Sequence, residues 1–282
     1  MNQKGRLFTF GCSRTAYRWP TWADIIGCQW EYFENWGKNG AGNTYIFDSV
    51  IECDAQNQLT ENDTVMIMWT GIARIDSYQI NEWSHTINIF ARDDSTKPYS
   101  CPDGYEILSY PLFVALEQYL KSKNINYIFM SHVPYDTESN AGRLYQNTIQ
   151  KIKLIKYDLA AAKIKLLANV EQVESLYKRL AGPDWPGLDS ILENCYTTVS
   201  TEIDQEVQDF IQLIKDDPYF SLKSRDIVDT HPLPLGHLKA VKQIVPDLEL
   251  SDSTLQWVSN INEKILKGKY YHYDKHYPTS RL

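Results

Sequence analysis

Along the 282-residue chain, apolar positions alternate between short continuous runs and stretches of helical spacing. Arg6-Leu-Phe-Thr-Phe10 is a β-rich run ended by Gly11, and Thr21 and Asp24 after Trp19-Pro20 mark a helix start with Trp22, Ile25 and Ile26 on its apolar face. Tyr32-Phe33 reads as a second short strand. Gly37, Gly40 and Gly42 punctuate the next loop, and the spacing from Thr44 to Ile51 predicts a helix. Thr64-Val-Met-Ile-Met-Trp69, behind the polar turn Glu61-Asn-Asp63, has the continuous apolar character of a central strand buried on both faces. Tyr110 to Leu120 is spaced as a helix and leads into a further buried strand, Tyr127-Ile-Phe-Met130. This rhythm predicts an α/β fold: a parallel sheet covered by helices on both sides, with reactive groups at the carboxyl ends of the strands.

From about Ala141 to Leu180 the spacing becomes that of a long helical stretch, broken by Gly182-Pro-Asp-Trp-Pro-Gly187 and followed by another helical pattern from Glu202 to Lys215. Residues 136–222 are therefore expected to be a mainly helical insertion, with 1–135 and 223–282 forming the α/β domain. Its apolar positions cover more than one face, which suits a lid, a docking surface or an arm for a homo-oligomer. Asp229-Thr-His231-Pro232 precedes a helix from Gly236 to Ile244 and an amphipathic segment from Ser253 to Leu266. The aromatic tail, Tyr270 to Tyr277, has no period.

Composition removes several function classes. With 43% hydrophobic and 23% charged residues the chain can bury a full core, which excludes intrinsic disorder. A net charge of −8 opposes binding to a phosphate backbone, so no nucleic acid partner is expected. No window reaches the roughly 18 apolar residues of a membrane helix, and no membrane association is expected. The first ten residues do not read as a secretory leader, so the cytoplasm is the expected compartment. The five cysteines contain no C-x-x-C pair, which suggests neither a disulfide framework nor a zinc site, and His272 and His276 lack matching partners; no metal is expected.

Chemistry concentrates at two places. Phe10-Gly11-Cys12-Ser13 sets a serine just past the first strand, and Asp229-x-His231 supplies an imidazole and a carboxylate, the partners that a serine nucleophile requires. Together with the glycine-rich loop Asn35-Trp-Gly-Lys-Asn-Gly40-Ala-Gly-Asn43, these motifs resemble the SGNH/GDSL hydrolase superfamily over roughly 1–135 and 223–250. The resemblance implies a three-layer α/β/α, flavodoxin-like sheet and an esterase acting without a cofactor. It makes Ser13 the nucleophile, His231 the general base and Asp229 the residue that orients it. The Ser13 N–H would be one oxyanion donor and Gly40 the next, with Gly42 or Asn43 as the alternative register.

The chain departs from that pattern in three ways. Cys12 stands where the family usually has Asp, and a thiol cannot accept hydrogen bonds as a carboxylate does. The strand Met66–Trp69 is followed by Thr70-Gly-Ile-Ala-Arg74, without the family's Gly-x-Asn-Asp; loss of one oxyanion donor typically costs about 10²–10³ in rate, and Thr70, Asn43 or Arg74 would have to substitute. The third departure is the insertion. The 13% aromatic content suits sugar-stacking walls, so the expected substrate is a small-molecule or glycan ester, an O-acetyl carbohydrate in particular. An acyltransferase using the same three residues, a catalytically silent binding protein, and a sulfotransferase using Phe10 to Thr15 as a phosphosulfate loop are the competing readings, the last ranked lowest because it lacks a Gly-rich loop with Lys and Thr and Pro20 removes a donor.

Overall fold

The computed structural model describes residues 3–72, 74, 76–79, 82–85, 102–157, 162–165, 226–229 and 231–267. In chain order its elements are β1 (Gln3–Gly11), α1 (Trp22–Gly27), β2 (Trp30–Asn35), α2 (Asn43–Asn57), β3 (Thr64–Trp69), β4 (Asp76–Gln79), β5 (Glu82–His85), α3 (Pro102–Ser122), β6 (Asn126–Ser131), α4 (Asn140–Ile149), β7 (Lys153–Leu154), β8 (Ala162–Lys165), β9 (Asp226–Asp229), α5 (Pro234–Ile244) and α6 (Asp252–Leu266). Five strands pair in the order β2-β1-β3-β6-β7, each pair parallel. This is the expected flavodoxin-like order. Register places Gly11 opposite Met68 and Trp69 opposite Ser131, so β1, β3 and β6 end along one edge and release their following loops there.

The sheet is covered on both faces because its central strands alternate two apolar sets. Phe8 and Phe10 of β1, Val65, Ile67 and Trp69 of β3 and Phe129 of β6 pack with Ile46 and Val50 of α2 and with Tyr110, Phe113 and Leu116 of α3. Leu7, Met66, Met68 and Met130 point the other way, against Trp22, Ile25 and Ile26 of α1, Ala240, Val241 and Ile244 of α5 and Val258 of α6. A strand with both faces buried shows no polar alternation, which is why Thr64–Trp69 reads as one apolar run.

Residues 140–149 do form a helix, but α4 packs on α3 as part of the main domain, and β7 completes the parallel sheet beside β6. The predicted continuous helix is also interrupted: Gln150 ends α4, and Ala162–Lys165 is a strand paired antiparallel with Asp226–Asp229. Apolar residues at mixed three- and four-residue spacings fit two short strands as well as a helix once the turn residues between them are read as breaks. The hairpin β4–β5 was not foreseen. The predicted breaker Gly182–Gly187, the helix Glu202–Lys215 and the aromatic tail lie outside the described residues.

Candidate active site

The serine loop is held by backbone bonds. Gly11 ends β1 at φ +156, where an added Cβ would meet the Met68 carbonyl oxygen at 2.9 Å and the Thr15 hydroxyl, so only glycine lets the chain turn this close to β3. Immediately afterwards the N–H groups of Thr15 and Ala16 both donate to the Cys12 carbonyl, at 2.8 and 3.1 Å, closing a tight turn with Ser13 inside it. The Thr15 carbonyl accepts from the Thr21 hydroxyl at 2.5 Å and from Asn35 Nδ2 at 2.8 Å, which ties the turn to α1 and to the end of β2. In α1, Asp24 accepts from the Thr21 N–H at 2.9 Å, satisfying a donor at the helix start.

The Ser13 Oγ lies 2.9 Å from Nε2 of His231, and Ser13 is only 3% exposed. Three contacts hold His231 and the residues after it. Tyr17 stacks on the ring with centroids 4.0 Å apart and planes at 18°. The carbonyl of neighbouring Pro232 accepts from the Trp19 indole N–H at 2.9 Å. Leu233, which caps α5, packs with Trp19, Ile261 and Ile265. Asp229 ends β9 two positions before His231, and its side chain lies outside the described residues.

The glycine-rich loop lies against the same edge of the sheet. Trp36 N–H donates to the Thr9 carbonyl at 2.8 Å and Lys38 N–H to the Gly11 carbonyl at 3.0 Å. Gly40 takes φ +80, a left-handed conformation that glycine adopts without strain, and its N–H bonds to none of the described residues. Asn43 is committed elsewhere: its Oδ1 accepts from Thr70 N–H at 3.0 Å, and its Nδ2 donates to the Thr70 carbonyl at 3.1 Å and to Ser109 Oγ at 3.2 Å. It therefore clamps the end of β3 to α2. Asp76 caps α2 from outside, accepting from Gly42 N–H at 2.7 Å and Tyr45 N–H at 2.8 Å. Arg74 donates through Nη1 to the Ala41 carbonyl at 3.1 Å. The Thr70 hydroxyl is wholly buried without a hydrogen bond.

Cys12, between Gly11 and Ser13, is fully buried. Burial pushes its thiol up, but the Arg74 charge, the Arg14 backbone N–H and the Arg14 charge outweigh it, and the net shift is downward. The structure also brings in residues that the motif search passed over. Arg14 follows the serine, its guanidinium 5.1 Å above the Tyr157 ring, with Nη1 shut from solvent and unpartnered. His132 follows β6, and its Nδ1 is likewise buried without a partner. Burial, then the charges of Arg14, Arg74 and His231, holds His132 well below the ordinary histidine range, so it is neutral. Position just past a strand end was the sequence signal for both.

Ser13, His231, Gly40, Thr70 and Arg74 thus converge on the loops at one sheet edge, while Asn43 sits beneath them. Among the described residues no cluster of His, Cys, Asp or Glu is arranged to hold a metal ion, and no helix is long and apolar enough to cross a membrane.

No protein-family model matches the sequence, and no curated protein does. Solved structures similar to this chain include a GDSL-like lipase from Bacteroides thetaiotaomicron, at 15% identity over 54% of this chain and 68% of the other with a TM-score of 0.30. A member of the lipolytic G-D-S-L family from Veillonella parvula matches at 12% identity over 87% and 100%, with a TM-score of 0.34. A catalytic mutant of Axe2, an acetylxylan esterase from Geobacillus stearothermophilus, matches at 16% over 88% and 98%, also with a TM-score of 0.34.

Proposed function

We propose that the chain is a serine ester hydrolase acting through an acyl-enzyme. The observation that carries this reading is the 2.9 Å contact between Ser13 Oγ and His231 Nε2 at the carboxyl edge of a parallel sheet. Ser13 Oγ attacks the ester carbonyl carbon as His231 Nε2 takes its proton, and the tetrahedral oxyanion is held by the N–H groups of Ser13 and Gly40. Collapse breaks the C–O bond to the alcohol, which leaves with the proton from His231. Water then adds to the acyl-enzyme with the same base, and the carboxylic acid departs. Asp229 fixes the imidazole tautomer and stabilises the imidazolium.

The substrate in this reading is an O-acetylated carbohydrate, small or polymeric. Tyr17 and Tyr157, both part-exposed beside the serine loop, offer flat apolar faces of the kind that pack on sugar rings. Hydrolysis of p-nitrophenyl acetate, with fluorophosphonate labelling and peptide mapping, tests the reaction; acetate release from acetylated xylo-oligosaccharides tests the substrate class. Turnover and labelling at Ser13, both lost in Ser13→Ala, are expected. A folded protein that neither turns over nor labels overturns this reading in favour of a binding role or a highly selective transferase.

A further inference from the structure

We propose that Arg14 and Arg74 form an anion subsite beside Ser13, so that the ester substrate carries a carboxylate or phosphate group; the inference rests on the esterase reading above. The register that aligns the ends of β1, β3 and β6 brings the loops carrying Arg14, Arg74 and His132 to the edge that holds the Ser13–His231 pair. Arg14 lies over Tyr157 with Nη1 closed to solvent and without a hydrogen bond. Arg74 spends one bond on Ala41, and its remaining donors reach none of the described residues.

Among the described residues, the two carboxylates nearest these loops are engaged elsewhere. Asp76 holds the first-turn amides of α2, and Asp24 holds Thr21 and Asn35. Among the described residues no carboxylate pairs with Arg14. Burial lowers the proton affinity of Arg14, Tyr157 and Cys12 oppose it in part, and nearby Arg74 adds a last, smaller lowering. A guanidinium nitrogen withdrawn from water without a partner is costly, and a ligand anion accepting from Arg14, with Arg74 beside it, recovers that cost on binding. Neutral His132, with its Nδ1 unsatisfied at the same edge, adds a third polar group without adding repulsion. Because Arg14 adjoins the nucleophile, the bound anion sits on the same sugar unit as the ester or on its neighbour.

Calorimetric titration of the wild-type protein with D-glucuronate, glucose 6-phosphate and glucose tests the subsite without turnover. At least one acidic sugar is expected to bind about 10- to 100-fold more tightly than glucose. Which of the two does so separates a carboxylate from a phosphate. The preference should vanish in Arg14→Gln and Arg74→Gln and survive in part in Arg14→Lys. It should also fall in the wild type between about 50 mM and about 500 mM salt, a check that needs no variant. Equal binding of all three sugars, no binding of either acid, or a preference that persists in both Gln variants overturns the proposal. Hydrolysis of uncharged p-nitrophenyl acetate by the same preparation reports the esterase reading separately. Protein that binds acids and leaves this ester intact keeps the subsite and loses the reaction; protein that cleaves it and ignores acids does the reverse.

Discussion

Nε2 of His231 stands 2.9 Å from Oγ of Ser13, although 218 positions separate them along the chain. The pair forms because β1 and the loop before α5 deliver their residues to the same edge, and because Trp19, within reach of Ser13 in sequence, bonds the Pro232 carbonyl. In the proposed mechanism, replacing His231 by Ala removes the base and leaves an unactivated hydroxyl. Turnover of p-nitrophenyl acetate is expected to fall by at least about 10³-fold, with far-ultraviolet circular dichroism unchanged.

Tyr17 stacks on the imidazole, its centroid 4.0 Å from that of His231. Tyr17→Ala frees the ring to rotate away from Ser13, and kcat is expected to drop about 10- to 100-fold with a smaller change in KM. Tyr17→Phe keeps the face and should retain most of the rate. Equal losses in both variants, in steady-state assays, would assign the phenolic hydroxyl a role that stacking does not explain.

Asn43 is a clamp, with three bonds to Thr70 and Ser109 in a buried setting. Asn43→Ala strands the Thr70 N–H, and the expected loss of stability is about 2–3 kcal/mol, read from urea midpoints. A neutral effect would place the strength of the β3 end in the Tyr135 hydroxyl, which donates to the Thr70 carbonyl at 2.7 Å.

Gly11→Ala drives a methyl group towards the Met68 carbonyl oxygen at 2.9 Å in a backbone conformation that L residues rarely take. The serine turn must shift to relieve it. Fluorophosphonate labelling of Ser13 is expected to slow by about 10-fold or more, and thermal denaturation should show a lowered midpoint.

Glu117, its side chain 3% exposed, binds Lys121 at 2.8 Å, Lys151 at 3.0 Å and Thr148 at 2.9 Å. Burial pushes its carboxyl up, but bonds from Lys121, Lys151 and Thr148 prevail and hold it at about 2, below the ordinary 4.5. A depressed folded-state value stabilises the protein fully above the unfolded value and is lost as pH falls towards the folded one. Glu117→Gln should therefore cost about 1–2 kcal/mol at neutral pH, discounted for the exposure of both lysines, and the gap should close between pH 4.5 and about 2. Paired denaturation curves across that range check it.

The apolar runs were legible because burial on two faces leaves a compositional mark: Thr64–Trp69 was read to the residue. The helix start at Thr21 was legible from its capping chemistry, and the start of α5 was placed at Gly236, two positions late. β7 was not, because Lys153–Leu154 is an exposed two-residue edge strand that carries no period. The hairpin β4–β5 and the strand β8 escaped for the same reason: pairing is a contact between distant backbones, and short polar strands do not announce it. Asn43 illustrates a different limit, since an Asn at a helix start suits an oxyanion donor and a clamp equally until its partners are seen.

By itself the sequence determined the α/β alternation, the position of Ser13 just past a strand and of His231 just before a helix, since these follow from local period, turn chemistry and burial. Tertiary structure alone decided that the two side chains meet, that Tyr17 and Trp19 serve the histidine, and that Arg14 stands near Arg74 without a carboxylate among the described residues. Local propensity acts over a few residues, whereas sheet register and helix packing fix the relative positions of groups hundreds of residues apart.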